Sequence, residues 1–176
     1  MKEVLVIGAG AAGMMAAIRA AQQGCKVTVL EKGRGPGTKL NITGKGRCNV
    51  TNDGDVDTLI RNVPRNGRFL FSAFHGFTSQ DAMAFFEELG VPLKTERGQR
   101  VFPVSDRARD VSGALRDRMH RLGVRVISAR AKEILTEEGK VSGVLTAKGE
   151  RLTAQSVIVA TGGLSYPTTG SDGDGF

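Results

Sequence analysis

The sequence predicts an α/β domain built on a central parallel sheet, with a three-stranded antiparallel meander placed before the last strand of that sheet. Three observations predict it. The first is Val4-Leu5-Val6-Ile7-Gly8-Ala9-Gly10-Ala11-Ala12-Gly13, an apolar run that ends in a glycine-rich turn and continues into an alanine-rich segment. The second is Lys26-Val27-Thr28-Val29-Leu30, which closes on the acid Glu31. The third is a set of short segments between 131 and 153, followed by Val157-Ile158-Val159-Ala160 and then Thr161-Gly162-Gly163.

Taken in order, residues 3–8 are apolar almost throughout, as suits a strand buried on both faces. Ala11 to Gln23 reads as a helix whose alanines allow close packing on a sheet, and Gly24 ends it. Residues 26–31 form the second strand. Residues 33–55 are rich in Gly, Asn, Thr and Asp and have no clear period. A loop of that length inside a domain is usually functional or mobile. Thr78-Ser79-Gln80-Asp81 opens a helix with cap-type residues. Its Ala82, Phe85, Phe86 and Leu89 share a face, and Gly90 closes it. Leu93–Glu96 and Arg100–Val104 form a hairpin around Arg97-Gly98-Gln99. Ser105 and Asp106 introduce a helix with Ala108, Val111, Leu115, Met119 and Leu122 on one side. Gly123 ends that helix, and Val124–Ile127 is the next strand. Ala131–Thr136, Lys140–Ala147 and Arg151–Thr153 make the meander, and Ser156–Ala160 returns to the parallel sheet.

The first motif has a chemical reading. Gly8 lets the chain turn tightly off the strand. Gly10 lets backbone approach a pyrophosphate where a side chain would collide, and Gly13 lets the helix pack closely on the sheet. The helix then begins at Ala11 and Ala12, where its free N–H groups and dipole face negative charge. Glu31 falls about 20 residues on, where a carboxylate accepts hydrogen bonds from a ribose diol. The expected ligand is the ADP half of a dinucleotide. An ordinary βαβ crossover would not need three glycines in register and an acid at that strand end.

Composition narrows the classes. The 176 residues suffice for one domain with a real core, and the 24 glycines are scattered through a patterned sequence. The formal charge is +7. Lys32, Arg34, Lys39, Lys45 and Arg47 follow one another with no acid between them. That loop either meets an anionic ligand or is a solvated surface. Arg65-Asn66-Gly67-Arg68-Phe69-Leu70-Phe71 mixes basic and aromatic residues. No recognised nucleic-acid motif accompanies it, so no nucleic-acid partner is expected and the phenylalanines are assigned to the core. Cys25 and Cys48 form no CxxC pair, and His75 and His120 have no metal-ligand spacing, so no metal site is expected. The N-terminus lacks the basic flank and cleavage site of a signal peptide. No apolar run reaches the about 18 residues a membrane span needs. A cytoplasmic chain with no membrane partner is expected.

The order of elements separates two nucleotide classes. A plain NAD domain continues with alternating helices and strands. This chain instead resembles a glutathione-reductase-like FAD-binding Rossmann-type fold, in which a β-meander replaces a crossover helix. Its strand ending Ala160-Thr161-Gly162-Gly163 resembles the second FAD signature of that fold. In the same fold Ala131 matches the position where backbone meets adenine.

The middle loop narrows the resemblance. Lys39-Leu40-Asn41-Ile42-Thr43-Gly44-Lys45-Gly46-Arg47-Cys48-Asn49-Val50-Thr51-Asn52 is similar to a segment of the YhiN-like (BaiN/RdsA) NAD(P)/FAD-dependent oxidoreductases. These are often called aminoacetone oxidase family FAD-binding enzymes. Arg100-Val101-Phe102-Pro103-Val104-Ser105-Asp106 and the glycine-rich run from Gly162 to Gly175 match as well. Two positions depart from the family pattern: Lys45 and Gln99 stand where glycine is expected.

The resemblance implies that Lys32, Lys39, Thr43, Gly44, Gly46, Arg47, Cys48 and Asn49 lie along the flavin. Arg47 either neutralises pyrophosphate or clamps its own loop. Asn49 would hydrogen-bond the ring edge. Cys48 is either a packing contact beside the ring or a redox thiol, and it lacks the nearby second cysteine that redox exchange needs. Family members are longer, so residues 1–176 are expected to be the N-terminal part of a discontinuous FAD-binding domain, incomplete at the C-terminus. The missing C-terminal half would be its partner. The expected activity is flavin-dependent oxidoreduction of a small-molecule substrate, with FAD as cofactor and NAD(P)H as a possible diffusible reductant. The alternatives are another flavoprotein class, fumarate-reductase-like or RNA-modifying, and a non-catalytic flavin-binding module. No catalytic acid or base is assigned.

Overall fold

The computed structural model describes residues 1–164, 167 and 172–175. The chain divides into two compact units, Met1–Leu40 with Leu115–Phe176, and Asn41–Ala114.

The first unit is built on a four-stranded parallel sheet. Its strands are β1 (Glu3–Ile7), β2 (Lys26–Glu31), β6 (Arg125–Ser128) and β10 (Ser156–Val159), in the order β10-β1-β2-β6. All three pairings are parallel. β1 is central, which is why Val4, Leu5 and Val6 are all buried. Helix α1 (Ala11–Gln22) packs on β1 and β2 and buries Met14, Ala17 and Ile18. Each large apolar side chain so buried contributes about 1.5–3 kcal/mol.

A three-stranded antiparallel sheet follows: β7 (Ala131–Glu137), β8 (Lys140–Thr146) and β9 (Arg151–Thr153). It is the expected meander, with ends shifted by one residue. It packs on the parallel sheet, where Val144 and Ala154 share a core with Leu5 and Leu30. Ile7, Ile127, Ala131 and Val157 close that core from its edges.

The second unit holds a smaller antiparallel sheet of β3 (Thr51–Asn52), β5 (Arg100–Pro103) and β4 (Leu93–Glu96), in the order β3-β5-β4. The expected hairpin is present, and residues within the long loop add β3 to it. Helix α4 (Ser79–Glu88) packs on β3 and β4 and buries Phe86. Its start is a reciprocal capping box. Asp81 N donates to Thr78 Oγ1 at 3.1 Å, and Thr78 N donates to Asp81 Oδ2 at 2.8 Å.

Two short helices lie between the long loop and α4, where no element was expected: α2 (Val56–Arg61) and α3 (Phe71–Gly76). α2 is capped by Asp55, whose side chain accepts from Thr58 N at 2.6 Å. The expectation that the phenylalanines of Arg65–Phe71 belong to the core fails for both of them. Phe69 and Phe71 are exposed; a ring is buried only where another apolar surface covers it, which hydrophobicity along the chain does not supply. Helix α5 (Ala108–Arg121) buries Ala108, Val111, Leu115 and Met119, the face expected of it, while Leu122 lies just past its end and is half-buried. Among the described residues no helix is long and apolar enough to cross a membrane, and no cluster of side chains is suited to a metal ion.

Candidate functional site

In the first unit, the turn from β1 into α1 is set by two glycines in contact. Gly8 has φ +99°, and a Cβ on Gly13 would fall 1.8 Å from the Gly8 carbonyl oxygen. The helix therefore starts hard against the strand end, and only glycine permits it. Gly10 is the N-cap residue. A Cβ there would meet nothing within 4 Å, so open space faces the backbone at that point. Met14 N donates to Gly10 O at 2.9 Å, the first bond of the helix. No side chain caps the helix, and its first turn holds no acid. The N–H groups of Ala11, Ala12 and Gly13 precede the first intrahelical bond and have no acceptor within the helix. Uncapped N–H groups with the positive end of a helix dipole behind them favour negative charge.

Glu31 is fastened beside that helix start. Its Oε2 accepts from Ala9 N at 2.8 Å and its Oε1 from Gly33 N at 2.7 Å. Gly8 N donates to Leu30 O and Ala160 N to Ile7 O, both at 2.8 Å, so the ends of β2, β1 and β10 are drawn together. A Cβ on Gly8 would lie 2.6 Å from the Ala160 carbonyl oxygen. Gly8, Gly10, Gly13, Glu31, Ala160, Thr161 and Gly162 thus lie at the carboxyl ends of adjacent strands, where open α/β sheets bind ligands. Ala131 opens β7 opposite Thr146 and is half-buried.

Lys32 has a different neighbourhood from the one its loop suggested. Its Nζ donates to Asp172 and to Asp174, and Arg130 donates to Asp174 at 2.9 Å. Burial alone would lower the Lys32 pKa, but the two carboxylates outweigh it and raise it. Lys32 in turn holds both acids below the usual carboxylate range. A Cβ on Gly175 would lie 2.4 Å from Thr161 Oγ1, so this acidic turn rests against the Thr161 end of the sheet. Asp172 and Asp174 stood in a glycine-rich run, and nothing in their spacing pointed to Lys32, which is 140 residues away in sequence.

Residues 40–46, of which 41–46 belong to the second unit, form two tight turns broken at Thr43, Gly44 and Lys45. Gly44, Lys45, Gly46 and Cys48 all have φ between 56° and 87°. Arg47 projects from this loop and is held by Glu96 and by Asp106, whose Oδ1 it meets at 2.6 Å. Lys94 donates to the other oxygen of Asp106 at 2.8 Å and lies 3.5 Å from Glu96, closing a ring of two cations and two anions. The Arg47 guanidinium also lies over the Phe102 ring, 4.2 Å from its centre. These contacts describe the loop clamp. Sequence spacing could not reveal it, because the two acids stand on either side of β5, far from Arg47 along the chain.

Cys48 is fully buried, and burial pushes its thiol pKa up. Its backbone N–H donates to Thr43 O at 3.0 Å. Cys25 belongs to the first unit and is half-buried. The side-chain amide of Asn49, with its NH2 toward two carbonyl oxygens, donates to Val101 O at 3.2 Å and Thr51 O at 3.0 Å. Its oxygen remains as an acceptor. Ser112 Oγ, also buried, donates to Asn41 Oδ1 at 2.7 Å and fixes the start of the loop to α5. Lys39 and Gly163 belong to the first unit, and Gly163 is half-buried beyond β10.

Comparison with known proteins follows the same lines. A family model described as the HI0933-like protein Rossmann domain matches residues 2–176. The chain is 35% identical over its full length to a 3-dehydro-bile acid delta(4,6)-reductase of Clostridium scindens, covering 42% of that protein. It is 30% identical over 99% of its length to a ribosomal RNA dihydrouridine synthase of Haemophilus influenzae, covering 43% of that one. Among solved structures, a 3-ketosteroid-delta4-(5alpha)-dehydrogenase from Rhodococcus jostii RHA1 superposes with a TM-score of 0.71 at 19% identity. The superposition covers 93% of this chain and 46% of the other. The chain thus spans about two-fifths of the length of the curated relatives it matches.

Proposed function

The chain belongs to the HI0933-like protein Rossmann-domain family, and from that premise we propose that it is the FAD-binding part of a flavin-dependent oxidoreductase. The observation that carries this reading is the cradle at Gly10, where uncapped N–H groups of α1 face open space beside a fastened Glu31. Pyrophosphate would lie on the N–H groups of Ala11, Ala12 and Gly13. Glu31 keeps lone pairs beyond the two it shares with Ala9 and Gly33, enough to accept from a ribose diol. Ala131 would meet adenine, and the Ala160–Gly163 turn would follow the chain between phosphate and ring.

The second unit's loop would serve the flavin. Thr43, Gly44, Gly46 and Cys48 would line it, with Lys39 leading in. Arg47 acts by holding the loop's shape, since Glu96 and Asp106 already engage its guanidinium. The remaining oxygen of Asn49 suits the imide N–H of the ring. Bound FAD supplies hydride transfer, and NAD(P)H is the electron partner. Both curated relatives carry names that describe adding hydrogen across a carbon–carbon double bond. The substrate proposed here is accordingly a small molecule with such a bond conjugated to a carbonyl. The edge of β10 and the exposed Val159 and Leu164 are where a further segment, of the kind the relatives' length includes, would add.

The test is the visible spectrum of the purified chain before and after denaturation, with chromatography of what is released. Flavin absorption and released FAD are expected, followed by bleaching when NADPH or NADH is added without oxygen. A chain that neither carries nor takes up FAD, yet binds NADH, would overturn the flavin assignment.

A further inference from the structure

The stretch 58–80 carries Arg61, Arg65, Arg68 and His75 and contains no acid. The flanking acids, Asp57 and Asp81, lie just outside it, and Asp81 is taken up in the capping box of α4. Arg65 and Arg68 are exposed, and among the described residues neither enters an ion pair. Three rings accompany them at the surface: Phe69 is 83% exposed, Phe71 52%, and Phe77 is exposed as well.

This surface is ordered by its own contacts. α2, the 3-10 turn Gly67–Leu70 and α3 pack on one another. A Cβ on Gly67 would lie 2.5 Å from the Ile60 carbonyl oxygen, so the turn sits directly on the end of α2. Phe71 and His75 stack with ring centres 4.1 Å apart. Phe77 lies edge-on to Phe85 of α4, with 6.4 Å between centres. Phe69, by its exposure, stands off the turn instead of lining a groove. Ordering before a partner arrives lowers the cost of binding.

We propose that Arg65, Arg68, Phe69, Phe71 and Phe77 form a surface that seats on an anionic lipid bilayer, with the rings at the acyl boundary and the guanidinium groups at lipid phosphates. Exposed rings call for a partner. A protein partner must offer a matching pocket to a ring that protrudes this far. A bilayer supplies a continuous apolar phase that closes around any ring reaching it. Arginines beside such rings lay their stems along apolar surface and keep their charge at headgroup level. A run of cations without acids selects a negative surface, at about fivefold in affinity for each residue. A second copy of the chain fits the face poorly, since a two-fold contact sets these same arginines against each other. The expectation of no membrane partner rested on the lack of an apolar span, and lying on a membrane needs none. The inference is independent of the flavin reading.

The experiment is cosedimentation of the purified chain with phosphatidylcholine vesicles made with and without phosphatidylglycerol, at two salt concentrations. The chain is expected to sediment with the anionic vesicles, less so as salt rises, and to stay in solution with the neutral ones. Arg65→Gln and Arg68→Gln should each weaken binding about fivefold. Phe69→Ala should weaken it about tenfold, while Phe69→Leu keeps it, because an acyl phase asks for apolar bulk and not for a flat ring. The chain has no tryptophan, so Phe69→Trp adds a single reporter. Its emission should shift to the blue on anionic vesicles and be quenched by brominated acyl chains. These residues are exposed, and circular dichroism checks that each variant is folded. Unquenched emission, or unchanged binding by Phe69→Ala, would overturn the proposal and leave adsorption by charge alone. Equal binding to neutral vesicles would overturn the selection of anionic lipid. Loss of binding with Phe69→Leu would overturn it in favour of a partner that stacks on the ring. Polyglutamate bound more tightly than the vesicles, and lost with Phe69→Ala, would assign the face to an acidic protein instead.

Discussion

The carboxylate of Glu31 accepts the backbone N–H of Ala9 at 2.8 Å, so the end of the second strand holds the glycine-rich turn that follows the first. Glu31 thereby has a structural task in addition to the ribose contact proposed for it. Its other oxygen accepts from Gly33 N, and both oxygens are in use.

Glu31→Gln separates the two tasks. An amide has one acceptor oxygen, so either Ala9 N–H or Gly33 N–H loses its partner. A lost partner of this kind costs about 1–3 kcal/mol. The expected outcome is faster amide hydrogen exchange at Ala9 or Gly33 together with weaker FAD binding. Unchanged exchange with weakened FAD binding would assign Glu31 to the ligand alone.

Gly13→Ala places a methyl group 1.8 Å from the Gly8 carbonyl oxygen, a backbone atom that cannot step aside. Strand and helix must separate. The expected loss is about 3 kcal/mol or more, at the upper end of overpacking costs, read as a shift in the urea midpoint. Gly10→Ala is the contrast, since its added Cβ meets nothing in the chain. That variant should keep the fold and lose the nucleotide, measured by flavin retention on purification.

The ring around Arg47 gives a pH dependence with a definite sign. Bonding from Arg47 holds Glu96 below the usual range, and bonding from Lys94 and then Arg47 does the same for Asp106. Acids lowered in the folded state contribute stability that is complete above their unfolded values, about 4. That stability is lost as pH falls through the lowered values. Thermal midpoints of the wild type and Asp106→Asn should differ by a constant amount from pH 7 to about 5, and the gap should close below about 4. A gap that stays open in acid would mean the ring does not act through charge.

Lys45 and Gln99 depart from the family's glycines, and both have left-handed backbone, with φ 58° and 57°. A side chain in that region costs about 1–2 kcal/mol, partly offset because glycine loses more freedom on folding. Lys45→Gly and Gln99→Gly should each stabilise the chain by about 0.5–1 kcal/mol. Differential scanning calorimetry measures it. A fall in stability would show that the side chains make contacts that outweigh the strain.

The residues by themselves determined the parallel sheet, the meander and the nucleotide turn. Each of those depends on a local rule: apolar runs for buried strands, short segments in close succession for the meander, and glycine wherever a side chain cannot fit between a strand end and a helix. Gly8, Gly13 and Glu31 could be placed from spacing because their contacts lie within one βαβ unit. The short helices α2 and α3 were not legible, since six-residue elements show less than two turns of any period. Only the tertiary structure decided which charges meet. Arg47 finds Glu96 and Asp106 across 49 and 59 residues, and Lys32 finds Asp174 across 142. Likewise it alone decided that Phe69 faces solvent, because hydrophobicity states what a ring favours while burial requires a second surface to cover it. Periodicity records a residue's neighbours along the chain, and ion pairs and covering layers come from segments that the fold brings together.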